Sequence, residues 1–183
     1  MAPTERGYGC IDGSHVTSFA PIVGAEPRLL ILGSMPGIRS LEAGEYYAHP
    51  RNAFWPIIEA LGLSVPSVPY EKRTAALAAR GIALWDVLRS CEREGSLDAR
   101  IVKKTEEPND LVGLLTTHTT IRAVVFNGTK AETAFLRHVD PALPEDTRSR
   151  FDRFRLPSTS PAHAISRERK LQAWRRILAY LDP

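Results

Sequence analysis

Arg28-Leu29-Leu30-Ile31-Leu32-Gly33-Ser34-Met35-Pro36-Gly37 is the stretch on which the fold turns. Leu29 to Leu32 are all large and aliphatic, so neither face of a strand is left for water, and Gly33 stops the run. Such a strand needs cover on both sides, the environment of a parallel sheet between layers of helices. The same reading applies to Ile82-Ala83-Leu84-Trp85-Asp86-Val87-Leu88 and to Ile121-Arg122-Ala123-Val124-Val125-Phe126, with Arg153-Phe154-Arg155-Leu156 as a short last strand. Between them lie segments with apolar residues at helical spacing: 53–61, 70–80, 111–118, 130–137 and a C-terminal amphipathic 166–181. Pro56 fits only the first turn of its helix. The stripe Leu171, Trp174, Ile177, Leu178 and Leu181 reads as core-facing. Strand and helix alternate, which predicts an α/β domain with a mostly parallel central sheet and helices on both faces.

With 183 residues, 43% of them hydrophobic, the chain has enough for one well-buried core and is too short for two ordinary domains. Residues 1–18 carry no apolar period and read as a flexible arm before a single domain over 19–183. Residues 93–109 read as a charged surface connection. A net charge of +3 permits a polyanionic partner without specifying one. Cys10 and Cys91 build neither a disulfide framework nor a zinc spacing, and both read as reduced thiols. No segment approaches the roughly 20 apolar residues of a membrane span, and none has the pattern of a secretion signal. These features predict a soluble, cytoplasmic protein with no membrane association.

Ligands of open α/β sheets sit beyond the carboxyl ends of the strands. Three such ends are chemically rich: Gly33–Gly37, Phe126–Gly128, and LPSTSPAHA at 156–164. The glycines of the first let backbone N–H groups approach a ligand, although a Gly/Pro loop after a strand is common. Its continuation, SLEAGEYYAHPRNAFW, gathers paired tyrosines, His49, Asn52, Phe54 and Trp55 into one segment, a set able to stack on and hydrogen-bond a flat heterocycle. Asn52 is equally suited to cap the following helix, and Asn127-Gly128 to make an ordinary turn. Ser158, Thr159 and Ser160 are small hydroxyls that grip phosphates without bulk. Lys130, Arg167, Arg169 and Lys170 suit phosphate contact, and a solvated helix face accounts for the last three equally well.

The segment GSMPGIRSLEAGEYYAHPRNAFWPII resembles the first active-site motif of the uracil-DNA glycosylase superfamily, most nearly its hypoxanthine-DNA glycosylase branch and next its mismatch-specific branch. LPSTSPAHA similarly resembles the second motif, with VVFNG between the two in the expected order. The resemblance implies a four-stranded parallel sheet in an α-β-α sandwich, base flipping, and hydrolysis of the N-glycosidic bond of a deaminated base, hypoxanthine or uracil, to leave an abasic site. Breaking that bond builds positive charge on the sugar and negative charge on the base, so the site needs donors facing the base and a positioned water. Asn52 resembles in place the catalytic asparagine of the hypoxanthine branch, and Ser34 joins it as a catalytic candidate within the first motif. Tyr47 aligns with the aromatic that stacks on the flipped base, and Asn127 with a pocket residue that reads the base edge through its amide. Met35, His49 and Phe54 complete the expected base-binding set. Ser158, Ser160, His163, Lys130 and Arg167 are the expected DNA contacts.

Two departures from the family pattern matter. Met35 stands where sister branches place Asn, Asp or Glu to position water, and a thioether cannot orient a nucleophile. Ala162 and Ala164 are small where sister branches use a larger apolar wedge, and Ile165 is their only bulky neighbour. Neither motif contains a lysine, so a Schiff-base lyase step is not expected, and two cysteines are too few for the iron–sulfur cluster of some sister branches. The expected partner is therefore DNA containing a deaminated base, bound by a monomer without metal or cofactor. The rival reading is a non-catalytic module that captures damaged or abasic DNA, suggested by Met35. A nucleotide hydrolase is weaker still, since neither GxxxxGK[ST] nor GxGxxG follows the first strand.

Overall fold

The computed structural model describes residues 9–181. In chain order the strands are β1 (Cys10–Asp12), β2 (His15–Thr17), β3 (Leu29–Gly33), β4 (Ile82–Asp86), β5 (Leu88–Glu92), β6 (Glu107–Pro108), β7 (Ala123–Asn127) and β8 (Asp152–Leu156). The helices are α1 (Ile38–Ala43), α2 (Phe54–Ala60), α3 (Tyr70–Ala79), α4 (Leu111–Thr117), α5 (Thr129–His138), α6 (Glu145–Ser149) and α7 (Arg167–Trp174), the last continued by a 3-10 turn over Arg175–Tyr180.

The centre of the molecule is a wholly parallel sheet in the order β4-β3-β7-β8, enclosed by helices as an α-β-α sandwich. Leu29 to Leu32 are each at 0% exposure, so β3 is the doubly covered strand that its composition demands. Its neighbours β4 and β7 are equally apolar, and Trp174 and Ile177 close the core from the C-terminal segment. Pro56 is the third residue of α2, where no intrahelical N–H bond is lost. From β3 the chain first builds β4 on one side and then crosses back to build β7 on the other. The carboxyl ends of β3 and β7 therefore flank the topological switch point, the crevice where this architecture receives ligands.

A second sheet, antiparallel and in the order β1-β2-β5-β6, departs from the sequence expectation in three places. Residues 10–17, read as part of an irregular arm, form a hairpin whose inner strand pairs with β5, and Val16 joins the core at 1% exposure; residues 1–8 lie outside the described residues. The run 82–88 is not one strand. It breaks after Asp86, and β5 enters the other sheet. Residues 93–109 are not a surface connection throughout, because Arg93, Ile101, Glu106 and Asn109 are buried. Asn109 Nδ2 donates to Ser18 Oγ at 3.1 Å and to Asp86 O at 2.9 Å, tying this segment to the centre.

Candidate active site

The loop after β3 is held from behind by the segment that follows β5. Ser34 Oγ donates to Asp98 Oδ1 at 2.7 Å. The Arg93 guanidinium, only 2% exposed, donates to the Pro36 carbonyl at 2.5 Å and the Gly95 carbonyl at 2.8 Å, with the Met35 carbonyl at 3.5 Å. Met35 itself is 6% exposed and packs into the core. At Gly33 a side chain is excluded, because an added Cβ would clash with Asp86 Oδ1 and sit 3.2 Å from the Tyr47 hydroxyl. Asp86 and Tyr47 thus converge over the backbone of Gly33. Asp86 Oδ2 has no hydrogen-bond partner among the described residues, and the Tyr47 hydroxyl has the Asn127 side chain as its polar neighbour. Burial, and next the Asp98 carboxylate, push the Asp86 carboxyl up to about 8, against the pull of Arg93. Burial and then Asp86 also raise the Tyr47 phenol.

Tyr47 adopts φ 58°, a conformation that a bulky residue takes at a cost of about 1–3 kcal/mol and keeps only when its surroundings fix it. The fixing contact is Phe54, whose ring stacks on Tyr47 at 4.0 Å between centroids. Phe54 is fully buried and makes edge contacts with Trp55 and Trp174, so it supports the tyrosine from the core instead of facing a ligand as expected. Tyr46 is a core residue, its carbonyl accepting from Trp55 Nε1 at 2.9 Å. His49 Nδ1 accepts from the Arg51 N–H at 3.1 Å, which fixes the turn before Asn52. Asn52 Oδ1 accepts from the Phe54 N–H at 3.0 Å, a local turn bond made one residue before the cap of α2 at Ala53, while the residue lines a groove of about 320 Å³.

That groove joins the two motif segments. Pro50, Arg51, Asn52, Ala53 and Pro56 form one wall, and Pro161, His163, Ala164, Ile165, Arg167 and Lys170 the other. The Ala53 N–H donates to the Thr159 carbonyl at 3.0 Å, so the walls are bonded to each other. Thr159, at 0% exposure, is gripped a second time by Asn127. Asn127 Nδ2 donates to Thr159 Oγ1 at 2.9 Å, and the Thr159 N–H donates to Asn127 Oδ1 at 2.8 Å. One N–H and one oxygen lone pair of the amide expected to read a base edge are taken by the last loop, and the same side chain also interacts with Tyr47. Gly128 accommodates the same contact: its φ is 101°, and a Cβ there would lie 2.9 Å from the Ser158 Cβ.

Two further bonds pin the loop to α7. Lys170 Nζ donates to the Ser160 carbonyl at 2.9 Å, and Trp174 Nε1 to the Pro157 carbonyl at 3.0 Å. Lys170 is 3% exposed, and burial lowers its ammonium pKa. Ser158 and Ser160 accept from the N–H groups of Ser160 and Ala162, each at 3.2 Å, which leaves their hydroxyl protons to donate outward. His163 and Arg167 are exposed on the groove wall.

Lys130 does not extend to a phosphate. Its ammonium pairs with the Glu106 carboxylate, a side chain at 0% exposure that His138 and Arg137 also contact, at 2.8 and 3.3 Å. Burial opposes ionisation of Glu106, but the bonds from Lys130 and His138 and the charges of Lys130 and Arg137 prevail and hold it below the usual range. The sequence reading missed Asp86, Arg93, Asp98 and Glu106. A carboxylate ending the apolar run IALWD was the one available signal; the other three sit in a charge-rich stretch that resembles any solvated surface.

The family model described as the uracil DNA glycosylase superfamily matches residues 20–182. Hypoxanthine DNA glycosylases of Methanosarcina barkeri and Methanosarcina acetivorans are each 38% identical over 114 residues, 62% of this chain and 71% of theirs. A solution NMR structure of a candidate uracil DNA glycosylase from Methanosarcina acetivorans superposes with a TM-score of 0.70 at 31% identity, over 90% of this chain and 99% of that one. Among the described residues no helix is long and apolar enough to cross a membrane.

Proposed function

The chain belongs to the uracil DNA glycosylase superfamily, and from that premise we propose that it excises a deaminated base, hypoxanthine or uracil, from DNA by hydrolysing the N-glycosidic bond of an extruded nucleotide. The observation that carries this reading is the groove in which Asn52 of the first motif lies opposite His163 of the second and Arg167 of α7, its two walls joined by the bond from Ala53 to Thr159. The DNA backbone lies along that groove, contacted by the outward hydroxyls of Ser158 and Ser160 and by the side chains of His163 and Arg167.

In the reaction the C1′–N bond breaks with its electrons going to the base, water adds to C1′, and the water's proton passes to solvent while the departing base takes one up. Asn52 acts through its amide. The carbonyl is anchored by the Phe54 N–H, so the NH₂ group is the free end and donates to the base or to the water as negative charge develops. Tyr47, held in its strained conformation by Phe54, supplies a rigid face for stacking. Asn127 acts as a fastener that keeps the last loop in register with the first motif.

The test is base release from oligonucleotides carrying a single hypoxanthine, uracil or xanthine, with Asn52→Ala beside the wild type. Removing a donor of this kind costs on the order of 100-fold or more in rate, so the variant should lose turnover while binding abasic DNA within a few-fold. A wild type that binds such DNA yet releases no base would favour the non-catalytic reading.

A further inference from the structure

The loop 94–100 stands against the first motif. Its base is closed by the bridge between Arg93 and Ile101 and by the bond from the Val102 N–H to the Glu92 carbonyl at 2.9 Å. Its tip is bonded to the turn after β3 on both sides of Leu97. Ser96 Oγ accepts from the Ile38 N–H at 2.9 Å, and Asp98 Oδ1 accepts from Ser34 Oγ at 2.7 Å. Leu97 itself is extended, with φ −83° and ψ 127°, so its side chain points away from those of its two neighbours and from the turn that they hold. At 52% exposure it is a large apolar group offered to solvent. A leucine exposed singly on a surface is ordinary. This one is braced, because the buried Arg93 guanidinium also ties the Gly95 carbonyl to the Pro36 carbonyl beside it.

The neighbouring strand β7 ends in Asn127, which holds the loop 157–165. The two loops therefore start from adjacent strand ends. Turning one nucleotide out of a duplex leaves a gap in the base stack, and an apolar side chain pushed into that gap offsets part of the cost of unstacking. The loop 157–165 has little to offer for this, since Ala162 and Ala164 are short and Ile165 is partly buried in the groove wall. Leu97 has both the reach and the exposure. The charge beside it suits a polyanion: Arg100, Lys103 and Lys104 are exposed, have no ion-pair partner among the described residues, and outnumber the loop's carboxylates, Glu94 and Asp98. We propose that Leu97 enters the duplex beside the extruded nucleotide and keeps the gap open from the side of the first motif, with Arg100, Lys103 and Lys104 set against the flanking phosphates. The inference rests on the glycosylase reading above for its partner, a duplex with one nucleotide turned out.

Leu97→Ala tests it, since truncating a half-exposed side chain leaves the core untouched. Two readouts apply: single-turnover release of hypoxanthine from one oligonucleotide presented as a duplex and as a single strand, and the fluorescence of a 2-aminopurine placed next to the lesion in the duplex, which reports unstacking without turnover. Release from the duplex should fall by about tenfold, the equivalent of about 1.4 kcal/mol. Release from the single strand, which has no paired stack to open, should stay within about twofold, and the fluorescence rise seen on binding of the wild type should be largely lost. Duplex release within about threefold of the wild type overturns the role of Leu97. So does an equal loss on both substrates, which marks a structural part instead. A wild type that releases none of the deaminated bases overturns the glycosylase reading, and the fluorescence then decides Leu97 alone: a rise abolished by Leu97→Ala keeps it as the side chain that enters the duplex, and a rise left unchanged, or none with the wild type, removes it.

Discussion

Asp86 is the least comfortable side chain in the molecule. It ends β4 with one carboxylate oxygen unpartnered, against the backbone of Gly33, where a Cβ would collide with it, and close to the buried Tyr47 hydroxyl. Such a site tolerates a neutral acid better than a carboxylate. The folded-state pKa, about 8, lies above the ordinary value of 3.8. Between those two values the folded protein holds one proton more than the unfolded chain. Stability attributable to Asp86 is therefore complete below about pH 4, declines as pH rises, and is lost by about pH 8, with a slope of at most about 1.4 kcal/mol per unit. Asp86→Asn removes the titration while keeping the shape. Its melting temperature should exceed that of the wild type by an amount that grows from pH 5 to pH 8 and levels off above; a constant difference across that range would show that Asp86 is charged throughout.

At the scale of elements, the loop 157–165 is held to a degree unusual for a surface connection, with anchors from β7, from the residue preceding α2, and twice from α7. A loop that must meet a duplex in fixed register profits from this, since the ordering entropy is settled before binding. Lys170→Met keeps the aliphatic stem and deletes the bond to Ser160. Charged hydrogen bonds contribute about 1.5–3 kcal/mol, so amide exchange at 158–165 should accelerate by about tenfold or more with the core strands unaffected. Unchanged protection there would mean that Lys170 is a bystander. These anchors were only partly legible. The four central strands and their order of chemistry could be read because β3, β4 and β7 are buried on both faces and therefore uniformly apolar. The second sheet could not, because its strands span two to five residues, too few for any alternation to stand out, and beyond its local hairpin β2 is joined by β5, which lies far along the chain. The contact of Asn127 with Thr159 was not legible, since nothing in the sequence says that Thr159 arrives against its amide.

For the whole molecule, a net charge of +3 gives weak long-range attraction to DNA, so affinity depends on the few cations at the groove. Arg51 and Arg167 are exposed there, while Lys170 is spent on the loop. Arg167→Ala should weaken binding to abasic-site DNA about equally for all sequences and reduce the slope of log affinity against log salt by about 1; an unchanged slope would place the phosphates elsewhere. The proposed division of labour sets backbone contacts along the groove of α2 and α7 and leaves the Asn52 NH₂ group, on the same groove, for the base or the water. Its central claim is hydrolytic base excision, and the most direct measurement is chromatographic detection of free base from an oligonucleotide with one hypoxanthine. Free hypoxanthine is expected in the supernatant, with a strand that stays intact until alkali cleaves the abasic site. Intact substrate for hypoxanthine, uracil and xanthine alike, or a strand already cut before alkali, would contradict it.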